Sequence, residues 1–280
     1  MSTIRVVTDS GSDLPDEMAA HHRIDVVPLT IRFGSEELVD RRDLSPRQFW
    51  ARVASSPELP ETAAPSPGAF ETVYRQAHAD GADGVVCVTL SSSLSATYQA
   101  ATLAAQAVES AIPVEVVDSR AVSLAEGLMA VAAAEAATEG ASLDEVAGAA
   151  WDLVPRSRTF ATLDTLENLK KGGRIGAAQA LVGSMLSIKP VIEVADGKVE
   201  PESRQRTRAR SLRYLVDKVR ECSPVENLAV VHGEAPDVGD LVAMLAEVYP
   251  REQILVADVG AVIGTHAGPR VVGVVFQVPR

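Results

Sequence analysis

The sequence predicts an α/β protein built from two domains. Its 280 residues are long for a single hydrophobic core. In the first half, short aliphatic runs alternate with helical patterns, which is typical of a parallel sheet with helices on both faces. In the second half, Asp196-Gly197 lies between two apolar segments and indicates a hairpin. We therefore expect an N-terminal α/β/α domain over residues 1–155, and an α+β domain over residues 156–280 that carries a mixed or antiparallel sheet.

The elements of the first domain follow from local signals. Aliphatic runs predict strands at 4–8, 24–33, 85–90 and 114–117. Because serine caps helices and proline suits their first turn, helices are expected to begin near Pro15, Ser45-Pro46 and Ser66-Pro67. Two more helical patterns cover about 94–108 and 122–138. The segment 55–67 is long enough, and rich enough in Pro, Ser and Glu, to be a functional loop.

The second domain is predicted from shorter patterns. Its expected strands are 160–163, the hairpin formed by 190–195 and 198–202, then 228–231, 254–259 and 271–278. Its expected helices are 165–171, 207–221 and 237–247, with a loop or short helix at 260–268. Asp164 is a good N-cap for the first of these helices, and Gly172-Gly173 is expected to end it.

Composition and charge argue against several classes of protein. Lys and Arg number 26 against 38 Asp and Glu, a net charge of −12, so we expect no binding of nucleic acid. Cys87 and Cys222 lie outside any metal-ligand pattern, and we expect no metal and no cofactor. The sequence contains neither a signal-peptide core nor 18 consecutive apolar residues. These features predict a cytoplasmic protein with at most transient membrane contact.

The most informative segment is the hydroxyl-rich turn Ser91-Ser92-Ser93-Leu94-Ser95-Ala96-Thr97-Tyr98, which links a predicted strand to a predicted helix. Such a turn brings hydroxyl groups and the free N–H groups of a helix start to one spot, which suits a carboxylate or phosphate. Two other strand ends, Asp9-Ser10 and Asp118-Ser119, fall at the same edge of the predicted sheet. Loops at that edge form the ligand crevice of parallel sheets.

Three side chains are candidate contacts for an anion: Thr62 in the long loop, Ser95 in the hydroxyl-rich turn, and His266 between Gly264 and Gly268. Each also has a purely structural explanation. Thr62 could be a solvated loop residue, Ser95 a helix cap, and His266 a surface histidine. Ser95 or Ser92 with His266 could also form the nucleophile and base of a serine hydrolase, although no Gly-x-Ser-x-Gly motif surrounds either serine.

Cationic and apolar segments leave similar alternatives open. Arg174 follows the helix stop, and a basic stretch in this acidic chain consists of Arg204, Arg206, Arg208, Arg210, Arg213, Lys218 and Arg220. This stretch could be a solvated helix face, or it could dock an acidic partner or a nucleotide phosphate. The apolar segments 100–107, 128–137 and 180–194 fit core packing and would equally line a tunnel.

In combination, these features resemble the DegV family, the fatty-acid-binding subunits of bacterial fatty acid kinase. No single motif is specific, but their order along residues 4–278 is. The matching segments are 8–15, 62–66, 90–99, 117–119, 163–175 with Gly172-Gly173-Arg174-Ile175, 188–190, and 266–269 with Gly273.

The resemblance implies a protein that encloses one long-chain fatty acid in a tunnel between its domains. By motif position, Thr62, Ser95 and His266 would contact the carboxylate. Arg174 and Arg206 match positions associated with presenting the bound acid to a partner ATP-dependent kinase. The protein itself would be a carrier without catalytic activity, and the acyl phosphate made by the kinase would feed phospholipid synthesis.

Three departures from the family pattern bear on the carboxylate site. Ala63-Ala64 replaces Ser-Gln after the threonine, Ala96 replaces the glycine after the turn serine, and Arg270 replaces a small residue. A stand-alone phosphotransferase is disfavoured because the sequence has no Gly-x-x-x-x-Gly-Lys-Ser/Thr loop. Preferred chain length and oligomeric state do not follow from these patterns.

Overall fold

A computed structural model describes residues 3–56, 58–181 and 188–280, and in them the chain forms three sheets. The strands are β1 Ile4–Asp9, β2 Ile24–Val27, β3 Thr30–Phe33, β4 Glu36–Val39, β5 Glu61–Ala63, β6 Gly84–Thr89, β7 Val114–Asp118, β8 Ser157–Thr162, β9 Lys189–Ala195, β10 Lys198–Gln205, β11 Glu226–His232, β12 Leu255–Asp258 and β13 Val272–Gln277. The helices are α1 Asp16–His21, α2 Pro46–Ser55, α3 Pro67–Ala79, α4 Thr97–Val108, α5 Leu124–Thr138, α6 Leu143–Leu153, α7 Glu167–Lys171, α8 Arg208–Cys222, α9 Val238–Leu245 and α10 Ala261–Ala267.

The first sheet is parallel, in the order β2-β1-β6-β7. Every residue of β6 is buried, since helices cover both faces: α5 and α6 on one side, α3 and α4 on the other. Such strands read as continuous aliphatic runs, which is why they were predictable from the sequence. The α/β/α arrangement expected for the N-terminal half is confirmed.

The second sheet is mixed, in the order β10-β9-β8-β13-β11-β12, and only its β11–β12 pair is parallel. One face packs under α8 and α9, with Phe160 and Phe276 stacked beneath them. Residues of the other face, including Ile192 and Val231, join the hydrophobic core that contains α5. The mixed sheet and the hairpin at Asp196-Gly197 are as predicted.

A third, small sheet β4-β3-β5 was not predicted. The single strand expected over 24–33 is wrong, because Pro28 has no N–H to continue the ladder and Leu29 N–H donates to Ser10 Oγ at 3.0 Å. The chain leaves the parallel sheet there and forms β3. Strand β5 is short, with exposed neighbours on either side of Thr62, so it has no apolar run to reveal it. Thr62 is therefore held on a strand rather than in a loop.

Two further differences concern helix starts. Asp164 does not cap α7: its carboxylate accepts from Lys189 Nζ at 2.8 Å, and Thr165 Oγ1 accepts the Glu167 N–H instead. Helix α6 was not predicted, although Ser142 and Glu145 form a capping box at its start.

Residues 182–187 of the predicted apolar segment 180–194 lie outside the described residues. Within the described ranges, no helix has both the length and the apolar character needed to cross a membrane.

The two larger sheets are joined by polar contacts as well as by α5. Ser91 Oγ donates to Gly197 O at 2.7 Å, Gly260 N–H donates to Asp13 Oδ1 at 2.8 Å, and Trp50 Nε1 donates to Val259 O at 2.9 Å. The predicted division at residue 155 falls in the connection between α6 and β8. The space between the sheets is thus closed by fixed contacts at several places.

Candidate functional site

A cavity lies between the parallel sheet and the mixed sheet. The centre of a water-sized sphere can occupy about 180 Å³ of it, and the empty space between its lining atoms, including the open mouth, is about 1040 Å³. Most of the lining is aliphatic and comes from both halves of the chain, with Leu29, Leu90 and Val122 facing Leu163, Ile192 and Val262. An enclosed space of this character favours a ligand with a large apolar part.

The three predicted contacts Thr62, Ser95 and His266 all line this cavity. Thr62 Oγ1 and His266 Nε2 are 2.9 Å apart, although the two residues are 204 positions apart in the sequence. Strand β5 carries the threonine and α10 carries the histidine. Helix α10 is fixed at its start by the Asp13 carboxylate and near its end by Asn168, whose Nδ2 donates to Thr265 O at 3.2 Å. The imidazole therefore has a defined position.

His266 is neutral near pH 7, because burial first and the charge of Arg174 second lower its pKa to about 4. A protonated histidine would supply countercharge to a bound anion, but the neutral imidazole does not. Its Nδ1 is buried without a hydrogen-bond partner in the described structure. An unpaired lone pair is tolerated better than an unpaired N–H, which favours the Nε2–H tautomer. Nε2–H then donates to Thr62 Oγ1, and the threonine hydroxyl can donate into the cavity.

Gly172 and Arg174 complete the polar end of the cavity. A Cβ at Gly172 would overlap the His266 ring, so glycine is required for the close approach of α7 to α10. The Arg174 guanidinium lines the cavity and donates to Gly172 O at 2.6 Å and to Leu94 O at 3.1 Å. Leu94 directly precedes Ser95. Arg174 thus bonds to the residue before the turn serine and lies close enough to His266 to lower its pKa, and it is the one charged side chain among the described lining residues.

The hydroxyl-rich turn is less open to an anion than predicted, because most of its hydroxyl donors already have partners within the protein. Ser95 Oγ lies 2.8 Å from Thr97 Oγ1 and accepts the Thr97 N–H at 3.3 Å, so Ser95 caps the turn as well as lining the cavity. Ser92 donates to the Asp118 carboxylate, and Ser91 donates to Gly197 O. Helix α4 nevertheless begins directly after Ser95 and Ala96, which both line the cavity, so its positive end lies at the site.

Arg206 is exposed between β10 and α8 and is absent from the described cavity lining. Part of the basic stretch around it is paired with acidic residues: Arg208 with Asp237, and Lys218 with Glu202.

The residues that depart from the family pattern differ in whether they line the cavity. Ala64 and Ala96 line the cavity, whereas Ala63 is exposed. Arg270 is exposed, with its Nε 3.6 Å from Asp164 Oδ2, so it points along the surface instead of into the cavity.

Sequence reasoning missed three polar residues at the cavity. Ser123 and Thr159 line it, and Asp13 lies behind Ser123, whose Oγ donates to Asp13 Oδ2 at 2.6 Å. Ser123 has a φ of 57°, a conformation rare for non-glycine residues, and its N–H donates to Gly11 O. No local sequence signal marks Ser123 or Thr159. Asp13 lay within a motif quoted for the family, but its partner Gly260 is 247 residues away.

The geometry does not support the serine hydrolase alternative. Ser95 pairs with Thr97 and His266 pairs with Thr62, so the nucleophile and base are not hydrogen-bonded to each other. In the part of the chain that the structure describes, no carboxylate is bonded to either nitrogen of His266. A triad requires both of these contacts.

The described residues also contain no group of three or more His, Cys, Asp or Glu placed to hold a metal ion.

The fold and the cavity together define an α/β protein with an interior, mainly apolar site that has Arg174 as its charged lining residue. A family model described as "Uncharacterised protein, DegV family" matches residues 3–278, and the chain belongs to this family. A DegV domain-containing protein of Streptomyces coelicolor is 38% identical over 279 residues, which cover 98% of each chain.

Solved structures agree with this assignment. A structure described as showing fatty acid binding of a DegV family protein from Thermus thermophilus superposes with a TM-score of 0.90 at 35% identity, covering 99% of this chain and 100% of the other. The structure of DegV from Bacillus subtilis, described as a fatty acid binding protein, has a TM-score of 0.86 at 30% identity and covers both chains fully, at 100%. The family resemblance inferred from the motifs is confirmed.

Proposed function

We propose that this protein binds one long-chain fatty acid, with the acyl chain in the cavity and the carboxylate among Thr62, Ser95, Arg174 and His266. The observation that carries the proposal is a mainly aliphatic cavity whose single cation among the described lining residues, Arg174, lies near Thr62, Ser95 and His266. The Thermus and Bacillus relatives, described as fatty acid binding, support the same ligand class.

The aliphatic wall supplies most of the binding free energy. Burying about a dozen methylenes at ~0.8 kcal/mol each offers on the order of 10 kcal/mol before the entropic costs of association. This is enough for retention of the lipid through purification. Shape alone would not distinguish an acid from an alcohol, so the polar end provides the selectivity.

The polar end suits an ionised carboxylate. Arg174 supplies the positive charge, Thr62 and Ser95 supply hydroxyl donors, and the start of α4 adds the positive end of a helix dipole. The neutral His266 orients Thr62 and leaves its hydroxyl proton free to point at the ligand. This arrangement stabilises the anion without a buried, uncompensated charge.

The first test is to extract the purified protein with solvent and to measure acyl species by mass spectrometry. We expect about one fatty acid per chain, and we expect Thr62→Val to weaken binding of added oleate roughly tenfold or more, since it removes a hydrogen bond to a charged group. Thr72→Val, at an exposed threonine on α3, is the matched control and should bind like wild type. A protein that releases no acyl species and binds no added oleate would refute the proposal.

We further propose that the bound acid is presented to a separate ATP-dependent fatty acid kinase, as the family resemblance implies, and that this chain is a cytoplasmic carrier without catalytic activity. In that reaction a carboxylate oxygen attacks the γ-phosphorus of ATP and ADP leaves, which gives an acyl phosphate for phospholipid synthesis. The exposure of Arg206, outside the cavity lining, suits a residue that contacts a partner and not the ligand.

Replacing Arg206 by alanine should separate presentation from binding. We expect Arg206→Ala to leave the fatty acid Kd within twofold of wild type and to lower acyl-phosphate formation with the kinase about tenfold, the effect of one well-placed charged contact. Arg213→Ala, at another exposed arginine of the basic stretch, is the control. Equal kinase activity with both variants would contradict the role of Arg206 without affecting the binding proposal.

A further inference from the structure

A second space lies directly behind one wall of the cavity. It is a groove on the surface between the two domains, in which the centre of a water-sized sphere can occupy about 560 Å³. Trp151, which is 42% exposed, lines the groove together with Val154 and Pro155. Thr159 and Val194 line both the groove and the interior cavity. These two side chains are therefore part of a partition between the two spaces.

The strand geometry shows how the partition is built. Residues 159, 161 and 163 follow one face of β8 and its end, and all three line the cavity, whereas residue 157 on the same face lines the groove. On the neighbouring β9, Ile192 and Val194 line the cavity and the next residue on that face, Asp196, lines the groove. Phe160 pairs with Glu193, which places Thr159 beside Val194 in the next position of the ladder.

The partition lies at the end of the cavity away from Arg174 and His266. Leu163 directly precedes the segment that carries α7, Gly172 and Arg174, while Thr159 lies four residues back along the strand, about 13 Å away. The loop before α5 also runs from the groove to the cavity: Arg120 lines the groove and Ser123 lines the cavity. Ser123 contacts Asp13, which holds the start of α10, whereas His266 is at the other end of that helix.

We propose that Thr159 and Val194 form the methyl-end stop of the cavity and set the longest acyl chain that the protein holds. This inference rests on the proposed fatty acid binding. A chain that fits ends against the two side chains and stays within the aliphatic wall. A longer chain has to displace them, and its end then meets the groove and Trp151. The pair thus determines chain length, while the polar end determines the head group.

The test compares saturated acids of 12 to 20 carbons on variants of Val194, with Kd measured by calorimetry. We expect Val194→Phe to shorten the cavity and to lower the affinity for 18- and 20-carbon acids at least tenfold more than that for the 12-carbon acid. Val194→Ala should do the reverse and improve the 20-carbon acid relative to the 16-carbon acid at least fivefold. Val256→Phe, at an exposed valine on β12 that is 39% exposed, is the matched control for the added ring.

Trp151 provides an independent readout that does not depend on the folding of the Val194→Phe variant. In Val194→Ala, the 20-carbon acid should shift the emission of Trp151, and the 12-carbon acid should not. The shift should vanish when Trp151→Phe is added. An unchanged length preference in Val194→Ala, or an equal loss for all lengths in a folded Val194→Phe, would overturn the inference. Failure of wild type to bind an acid of any length would instead refute the proposed function.

Discussion

Replacing Glu126 by glutamine will raise the free energy of unfolding more at pH 7 than at pH 4.5. Glu126 is fully buried on α5, where Oε1 accepts from Thr8 Oγ1 at 2.9 Å and Oε2 has no partner in the described structure. Burial first, and the charge of Asp9 second, raise its pKa well above the ordinary 4.5. Folding at neutral pH therefore disfavours the ionised form of Glu126, whereas glutamine is already neutral.

The pH dependence of this effect is the diagnostic observation. An acid whose pKa is raised on folding contributes its full stability below the unfolded pKa, and that stability is lost as the pH rises toward the folded pKa. The advantage of Glu126→Gln should therefore grow as the pH rises above 4.5, by at most about 1.4 kcal/mol per pH unit. Urea unfolding at pH 5, 6 and 7 measures it. Glu135→Gln, at an exposed position of the same helix, should show no such slope. A pH-independent difference in Glu126→Gln would contradict the buried, protonated state.

The wild-type stability should itself decline between pH 5 and pH 7. Burial raises the pKa of Asp9 and of Asp13 to about 7, so over this range the folded state binds protons that the unfolded state has released, and stability falls as the pH rises, as it does for Glu126. His266 acts oppositely: its pKa is lowered to about 4, so its contribution is present above the unfolded value of 6.5 and is lost as the pH falls. Three buried acids outweigh one histidine.

Replacing Arg174 by methionine will weaken fatty acid binding roughly 10- to 100-fold at pH 7.5, since a hydrogen-bonded charge contributes about 1.5–3 kcal/mol. Methionine keeps much of the length of the side chain and removes its charge. Because His266 is neutral at this pH, no other cation among the described lining residues can replace the lost guanidinium. Calorimetry with palmitate gives the effect directly.

A fatty alcohol of equal length separates charge recognition from packing. Arg174 also donates to Leu94 O and Gly172 O, so its removal could loosen the cavity wall. If the arginine recognises charge, palmitate loses affinity in Arg174→Met and the alcohol does not. Equal losses for both ligands would assign Arg174 a structural role only. Lys171→Met, at an exposed neighbour, is the control.

The parts of the fold that were predictable are those with local causes. Continuous aliphatic strands such as β6 and the Ser45-Pro46 helix start, which forms a capping box with Gln48, are determined by neighbouring residues. The order of the motifs predicted that Thr62, Ser95 and His266 meet at one site, and all three line the cavity. Strand β5 was missed because its three residues pair only with β3, whose position depends on the chain leaving the first sheet at Pro28.

The unpredictable parts of the site depend on contacts between distant residues. A run of serines in the sequence does not show whether each hydroxyl is free or hydrogen-bonded. In the hydroxyl-rich turn, Ser91 donates to Gly197 O and Ser92 donates to the Asp118 carboxylate. The protonation of His266 likewise depends on burial and on Arg174, which the chain brings there from another element. These are properties of the assembled interior.

Part of the space between the two sheets is a cavity lined mainly by aliphatic side chains. An acyl chain bound there, as proposed above, would pack against these side chains and become part of the hydrophobic interior. Loading and folding are then linked, because a ligand held only by the native state raises its melting temperature as the concentration of free lipid increases. Delipidated protein should accordingly have a lower melting temperature, and associate more readily, than protein with a bound fatty acid.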